Sequence, residues 1–316
     1  MMEDRGHVIL KRLVDNCLLE NATDQYGQSC VKMHDAVRDM ALSITSMNPP
    51  YMIQAGMQLK KLPKEDEWRA DIEKVSLMHN SISEIPEDML PPNCKLLTTL
   101  LLQRNPIKRI PSAFFANMPH LSVLNLSGTK IECLPNSISG LKNLTALLLR
   151  CCIQLRHLPC LSKIQGLKKL DLHRTKIEEI PQGMDRLVDL RYLDLEGINL
   201  KDIPAGLVSK LSCLQHLKID LRNASAGIEE VMTLANLEWF EGYFANIHDL
   251  NKFVSMQQSK KNLINYKLQV RSGVGELEPV RAGKSVTKPT NMISLKVNLL
   301  CSHSMFNTWR FHGGTV

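Results

Sequence analysis

Aromatic side chains are scarce: Phe, Tyr and Trp make up 5% of the 316 residues. A core built from this chain must be aliphatic. No apolar run reaches the roughly 18 residues of a membrane span, which argues against a helical membrane protein. Met1-Met2-Glu3-Asp4 is the wrong start for a signal segment. The nine cysteines are an odd number with no small secreted framework around them. The expectation is a reduced, cytoplasmic chain whose glycosylation sequons at Asn21, Asn125, Asn143 and Asn223 go unused. Hydrolase and zinc-protease motifs are missing, and so is a phosphate-cradling Gly-x-x-x-x-Gly-Lys-Ser/Thr loop. Gly283-Lys284-Ser285 mimics the end of that loop, but Glu278 stands where its first glycine belongs. The expectation is no enzyme, no catalytic residue and no cofactor for this chain alone.

Basic charge is scarce in the body of the chain. The total is 39 Lys+Arg against 32 Asp+Glu. From Lys252 to Val316 there are 10 basic and 2 acidic residues. The remainder is close to neutral, so it lacks the basic patch a nucleic-acid partner requires. The lysines of the tail are scattered and read as solvated.

Leucine is abundant instead. Of 48 leucines, 30 lie between Leu96 and Leu221. The pattern Leu-x-x-Leu-x-Leu recurs at Leu97-Leu100-Leu102, Leu121-Leu124-Leu126, Leu144-Leu147-Leu149, Leu167-Leu170-Leu172, Leu190-Leu193-Leu195 and Leu214-Leu217-Ile219. A poorer copy precedes at Ile72-Val75-Leu77, and weaker ones follow at Leu237-Phe240 and Leu263-Tyr266-Leu268. This period and pattern are those of leucine-rich repeats. Each copy makes a short strand with its leucines inward, and stacking buries them in a continuous row. Asn80, Asn105, Thr129, Cys152 and Thr175 follow the strands and are placed to bond the turn backbone inside the stack. Cys151, Cys152, His157 and Cys160 resemble a zinc cluster in composition, but Cys152 fills that structural position, so no metal is expected. Ile/Leu-Pro then recurs from Ile85-Pro86 to Ile203-Pro204 and suits an extended outer segment.

The side chains between the leucines line the concave face. From Lys74 to Arg150 this stripe is nearly neutral and partly apolar. Its second half mixes signs: Lys169, Asp171, His173, Tyr192, Asp194, Glu196, His216, Lys218 and Asp220. Those nine residues are the candidate contacts for a protein partner. The expectation is that reversing Asp194 and Glu196 weakens binding without unfolding the chain.

The first 50 residues do not repeat. Val8–Leu19 reads as an amphipathic helix, and Leu18–Ala22 with Cys30–Met33 reads as a hairpin around Asp24–Gln28. Asp35 is a good N-cap for a second helix, which Asn48-Pro49-Pro50 ends. Helix–hairpin–helix is the tail of a winged-helix unit. It carries no basic stripe for DNA.

Val31-Lys-Met33-His34-Asp35-Ala-Val-Arg-Asp-Met-Ala41 resembles the Met-His-Asp motif of plant nucleotide-binding leucine-rich-repeat disease resistance proteins, coiled-coil class. Leu124-Asn-Leu-Ser-Gly-Thr129 and Asn105-Pro-Ile-Lys-Arg-Ile-Pro111 agree with their repeats. The resemblance runs from about Gly6 to about Leu221. It implies an intracellular ADP/ATP switch in the intact receptor, in which His34 of Met33-His34-Asp35 helps hold an ADP phosphate. It also implies repeats that recognise a pathogen effector or a guarded host protein and contact the receptor's own nucleotide-binding domain. The chain then reads as a truncated receptor, a gene-model fragment or a short paralogue. A generic intracellular leucine-rich-repeat scaffold is the alternative.

The expected fold is α/β: a leucine-rich-repeat solenoid with a curved parallel sheet, preceded by a partial winged helix. The expected division is a winged-helix remnant with the Met-His-Asp motif at 1–50, a linker at 51–71 and leucine-rich repeats at 72–250. Weak terminal repeats and an irregular basic tail fill 251–316.

Overall fold

A computed structural model describes residues 2–23, 29–47, 51–87, 94–221, 227–258 and 265–270. The hairpin turn Asp24–Gln28, the stop at Asn48-Pro49-Pro50, the sequon at Asn223 and the tail with Gly283-Lys284-Ser285 lie outside the described residues. The chain divides into two units after Tyr51.

In the N-terminal unit, α1 (Met2–Asp15) leads into a hairpin of β1 (Glu20–Thr23) and β2 (Ser29–Lys32), then α2 (Asp35–Met47). α1 ends at Asp15, short of Leu19, because the backbone turns left-handed at Cys17 (φ 56°). The Leu18 N–H then bonds to the Leu13 carbonyl at 2.8 Å, a Schellman ending. At α2 the cap is His34 rather than Asp35. His34 Nδ1 accepts the Ala36 N–H at 3.2 Å, and the His34 carbonyl accepts the Arg38 N–H. Asp35 is the first helical residue and pairs with Arg38 at 2.9 Å.

The second unit contains one sheet, with strands neighbouring in chain order. They are β3 (Tyr51–Ile53), β4 (Lys74–Ser76), β5 (Thr99–Leu101), β6 (Val123–Asn125), β7 (Ala146–Leu148), β8 (Lys169–Asp171) and β9 (Tyr192–Asp194). After α3 (Leu207–Lys210) comes β10 (His216–Asp220); after α4 (Gly227–Thr233) comes β11 (Trp239–Phe244). α5 (Ile247–Gln258) and β12 (Asn265–Val270) complete it. From β5 to β11 the pairing is parallel and in step: Leu100, Leu124, Leu147, Leu170, Leu193, Leu217 and Phe240 stand opposite one another in turn. Each is at most 1% exposed. Burying one such leucine contributes about 1.5–3 kcal/mol, so the row holds the stack together. The fold is the leucine-rich-repeat solenoid that the period predicts.

Asparagines lock successive turns. Asn105 Oδ1 accepts the Ile82 N–H at 3.1 Å, and Nδ2 donates to the carbonyls of Leu77 (2.8 Å) and Leu102 (3.0 Å). Thr129 and Cys152 each donate to the Leu126 carbonyl. The buried Thr175 hydroxyl has no partner, so at that repeat the position only packs. Just beyond the strands, His79, Arg104, Gly128, Cys151, Arg174 and Gly197 all adopt positive φ. From His79 to Arg174, their N–H groups bond the next repeat, as in Arg104 to Ser127 O at 2.8 Å. Only the two glycines hint at this in the sequence.

The stretch 51–71 departs from the linker expectation. β3 is the edge strand of the sheet, and Met52, Leu62 and Trp68 are buried. The Trp68 indole N–H donates to the Pro63 carbonyl at 3.1 Å. One inward side chain on a three-residue strand leaves no leucine period to read. At the other end the division at 250 falls inside α5, and the repeats run on through β12. Here Phe240, Phe244 and Phe253 replace the leucine row, with Phe240 and Phe253 stacked at 4.9 Å. Tyr266 packs edge-on against Phe253 at 5.8 Å. Among the described residues no helix is long and apolar enough to cross a membrane.

Candidate functional site

Strand alternation turns the side chains between the leucines to the opposite face of the sheet. Neighbouring strands lie about 4.8 Å apart, so long side chains there shade one another. That geometry divides the nine candidates. Lys169, Tyr192, Glu196, His216, Lys218 and Asp220 stay partly accessible. Asp171 (8%), His173 (4%) and Asp194 (0%) are buried.

The buried groups belong to a ladder of alternating sign. Arg150 approaches Asp194 Oδ2 at 3.6 Å, and Lys218 approaches the same oxygen at 3.8 Å. Lys218 also lies 3.4 Å from Glu241, which pairs in turn with Lys267. The Tyr192 hydroxyl donates to Asp194 Oδ2 at 3.3 Å, and the Glu196 N–H donates to Asp194 Oδ1 at 3.0 Å. The Tyr243 hydroxyl donates to Glu196 at 2.7 Å. Lys169 sits 4.3 Å above the Tyr192 ring.

These contacts set the acidities. Burial pushes the Asp194 carboxyl up, but His173, Lys218 and the Glu196 N–H outweigh it and hold the carboxyl low. Burial, reinforced by the Asp194 charge, raises Asp171. Burial followed by Asp194 raises Tyr192, and burial followed by the bond to Glu196 raises Tyr243. Both phenols stay protonated donors at neutral pH.

The burial of Asp194 corrects the expectation for its reversal. A lysine buried there would meet the like charges of Arg150 and Lys218, so the change attacks the fold as well as the surface. Sequence reasoning also missed Glu241, Tyr243 and Lys267. The repeat of Glu241 and Tyr243 carries Phe240 in place of leucine; the register of Lys218 with Glu241 puts those two in the stripe, and that of Glu241 with Lys267 adds Lys267. Trp239 accordingly lies on this face, half-buried, not in the core.

His34 stands in the other unit and is exposed. The cap on Nδ1 requires that nitrogen to be unprotonated, so the neutral ring carries its proton on Nε2. That form can donate to a phosphate oxygen. Met33 is half-buried and Asp35 exposed. Of the suspected cysteine cluster, Cys152 is buried and its thiol is pushed up to about 11, first by burial. The four residues do not bring three ligand atoms together.

Residues 95–152 match the family described as Leucine rich repeat. Over 252 residues the chain is 35% identical to a disease resistance protein of Arabidopsis thaliana, covering 74% of this chain and 25% of that protein. It is 32% identical over 321 residues to the Arabidopsis disease resistance protein UNI, covering 97% of this chain and 35% of that protein. The chain is a homologue of plant nucleotide-binding leucine-rich-repeat disease resistance proteins of the coiled-coil class. A third relative, Arabidopsis disease resistance protein RPS5, is 36% identical over 233 residues, 71% of this chain and 25% of its own length. The chain thus spans about a quarter to a third of these disease resistance proteins. The part it matches includes their leucine-rich-repeat region.

Proposed function

We propose that this chain serves plant immunity by protein recognition inside the cell: its concave face contacts a pathogen effector or a guarded host protein. The observation that carries this reading is the polar seam on β8–β12. Its buried members fix the side chains around them, so Lys169, Tyr192, His216, Lys218 and Asp220 form a preorganised accessible surface. Rigid presentation lowers the ordering cost of binding. Tyr192 lies 6.1 Å from His216, which gives the surface an aromatic centre flanked by both charge signs.

The test is a binding screen of the chain against effectors and host proteins, scored by site dependence. A hit supports the reading if Lys169→Glu with Asp220→Lys abolishes it while Lys176→Glu, on the outer loops, does not. Hits indifferent to the concave changes would end this assignment.

The capped His34 favours a second role within a whole receptor. There its Nε2–H would donate to an ADP phosphate, and the same concave face would restrain the nucleotide-binding domain. ADP supplies the phosphate charge that the switch reads; His34 supplies one donor. One donor gives weak binding, so the chain alone is expected to purify without nucleotide. Stoichiometric ADP on ion-pair chromatography would favour the switch reading over the recognition reading.

A further inference from the structure

We propose that His173, Asp194 and Glu196 form a divalent-cation site of the zinc class that ties the repeats of β8 and β9 together. The His173 ring carries the argument. Its side chain is 5% exposed, and Nδ1 is shut off from solvent without a hydrogen-bond partner. Nδ1 lies 3.6 Å from Asp194 Oδ1 and 3.6 Å from Glu196 Oε2. Both distances are too long for a hydrogen bond. A single N–H could satisfy only one of the two oxygens. A buried polar atom left in this state costs free energy and calls for an explanation.

One ion between the three atoms provides it. Nitrogen and oxygen ligands held about 2.0–2.2 Å from tetrahedral zinc lie roughly 3.3–3.6 Å from one another. The three atoms all fall within 4.8 Å of each other. Two carboxylates and one imidazole supply three of the four ligand atoms that tetrahedral zinc takes. Imidazole among the ligands favours zinc over calcium or magnesium.

The surroundings are those of a supported site. Asp194 Oδ2 is held by the Tyr192 hydroxyl, with Arg150 and Lys218 alongside, and Oδ1 accepts the Glu196 N–H. Glu196 Oε1 is held by the Tyr243 hydroxyl at 2.7 Å, which turns Oε2 toward His173. Partners of this kind orient metal ligands. Arg150 and Lys218 approach the oxygen of Asp194 remote from His173, so they do not stand in the ion's place. The Glu196 side chain is 21% exposed, which leaves a way in and room for water as the remaining ligand.

The experiment titrates the chelator-stripped full chain with Zn²⁺ by calorimetry and reads the ligand set from the Co²⁺ visible spectrum. We expect one equivalent bound through nitrogen and oxygen, with no thiolate charge-transfer band. The affinity should fall at least about tenfold in His173→Gln and in Glu196→Gln. Glu196 is partly exposed, so Glu196→Gln keeps the test open if the His173 variant does not fold. Zinc should also raise the melting temperature of the unsubstituted chain more than that of Glu196→Gln. Binding through thiolates alone, equal binding by Glu196→Gln, or no binding would each overturn the proposal.

Discussion

Asn105 and Thr175 occupy equivalent places in the repeat and do different things there. Asn105 bonds three backbone groups across two turns, whereas the Thr175 hydroxyl bonds none. Asn105→Ala should therefore cost about 2–4 kcal/mol in urea unfolding, because it strands buried backbone groups. Thr175→Val should be neutral or stabilising in the same assay. The Asp171 and Asp194 carboxyls differ in the same way. Asp194 is held low, so its stabilisation is present above the unfolded carboxylate pKa and is lost as pH falls through the lower folded value. Asp171 is raised, so it opposes folding at neutral pH and that cost disappears in acid. Asp194→Asn is expected to destabilise by about 2 kcal/mol at pH 7, the partial exposure of Arg150 and Lys218 softening the loss. Asp171→Asn should be neutral to stabilising at pH 7 and lose its advantage toward pH 4. Denaturation curves at both pH values check the two signs together.

At the scale of the element, the outer loops set the tolerance of the repeat. Gly128 and Gly183 both have positive φ, yet they are not equivalent. A Cβ at Gly128 would come no closer than 3.4 Å, to the flexible Arg104 side chain. Four other repeats hold histidine, arginine or cysteine at that position. Gly128→Ala should cost about 1 kcal/mol, the ordinary penalty for the left-handed region. A Cβ at Gly183 would meet the Ser162 backbone nitrogen at 2.4 Å. The preceding repeat must then move, and Gly183→Ala should cost about 3 kcal/mol or more in thermal unfolding. Equal effects from the two substitutions would show that the outer loops yield freely.

At the scale of the whole solenoid, each repeat packs mainly on its neighbours, with Arg150–Asp194 and Tyr243–Glu196 reaching one repeat further, so stability is spread along the row and weakest at its ends. Toward one end of the described sheet Trp68 is buried, and toward the other Phe240, Phe244, Phe253 and Tyr266 pack together. Phe253→Ala removes the centre of that aromatic group, at a cost of about 3–5 kcal/mol. The loss should be local. Hydrogen exchange should speed up in β11 and β12 while β5–β8 keep their protection. Uniform loss of protection would mean that the solenoid unfolds as one cooperative unit.

The leucine period alone determined the strands from β4 to β10, their order and which side chains face inward, because a stack of equal repeats admits one register. The apolar periodicity and turn residues of the first 50 residues likewise announced the helix–hairpin–helix. Burial along the polar stripe was decided only by stacking. The sequence does not say that Asp194 is sealed beneath side chains from the neighbouring strands while Lys218, at the same place in the next repeat, remains partly accessible. β3 was hidden, since it has a single inward residue, whereas β11 and β12 showed as weaker copies, with Phe240 and Tyr266 where the pattern asks for leucine. The unpartnered nitrogen of His173 between two carboxylates belongs to the same class. It arises from residues on separate repeats, and only the pairing of β8 with β9 brings them together.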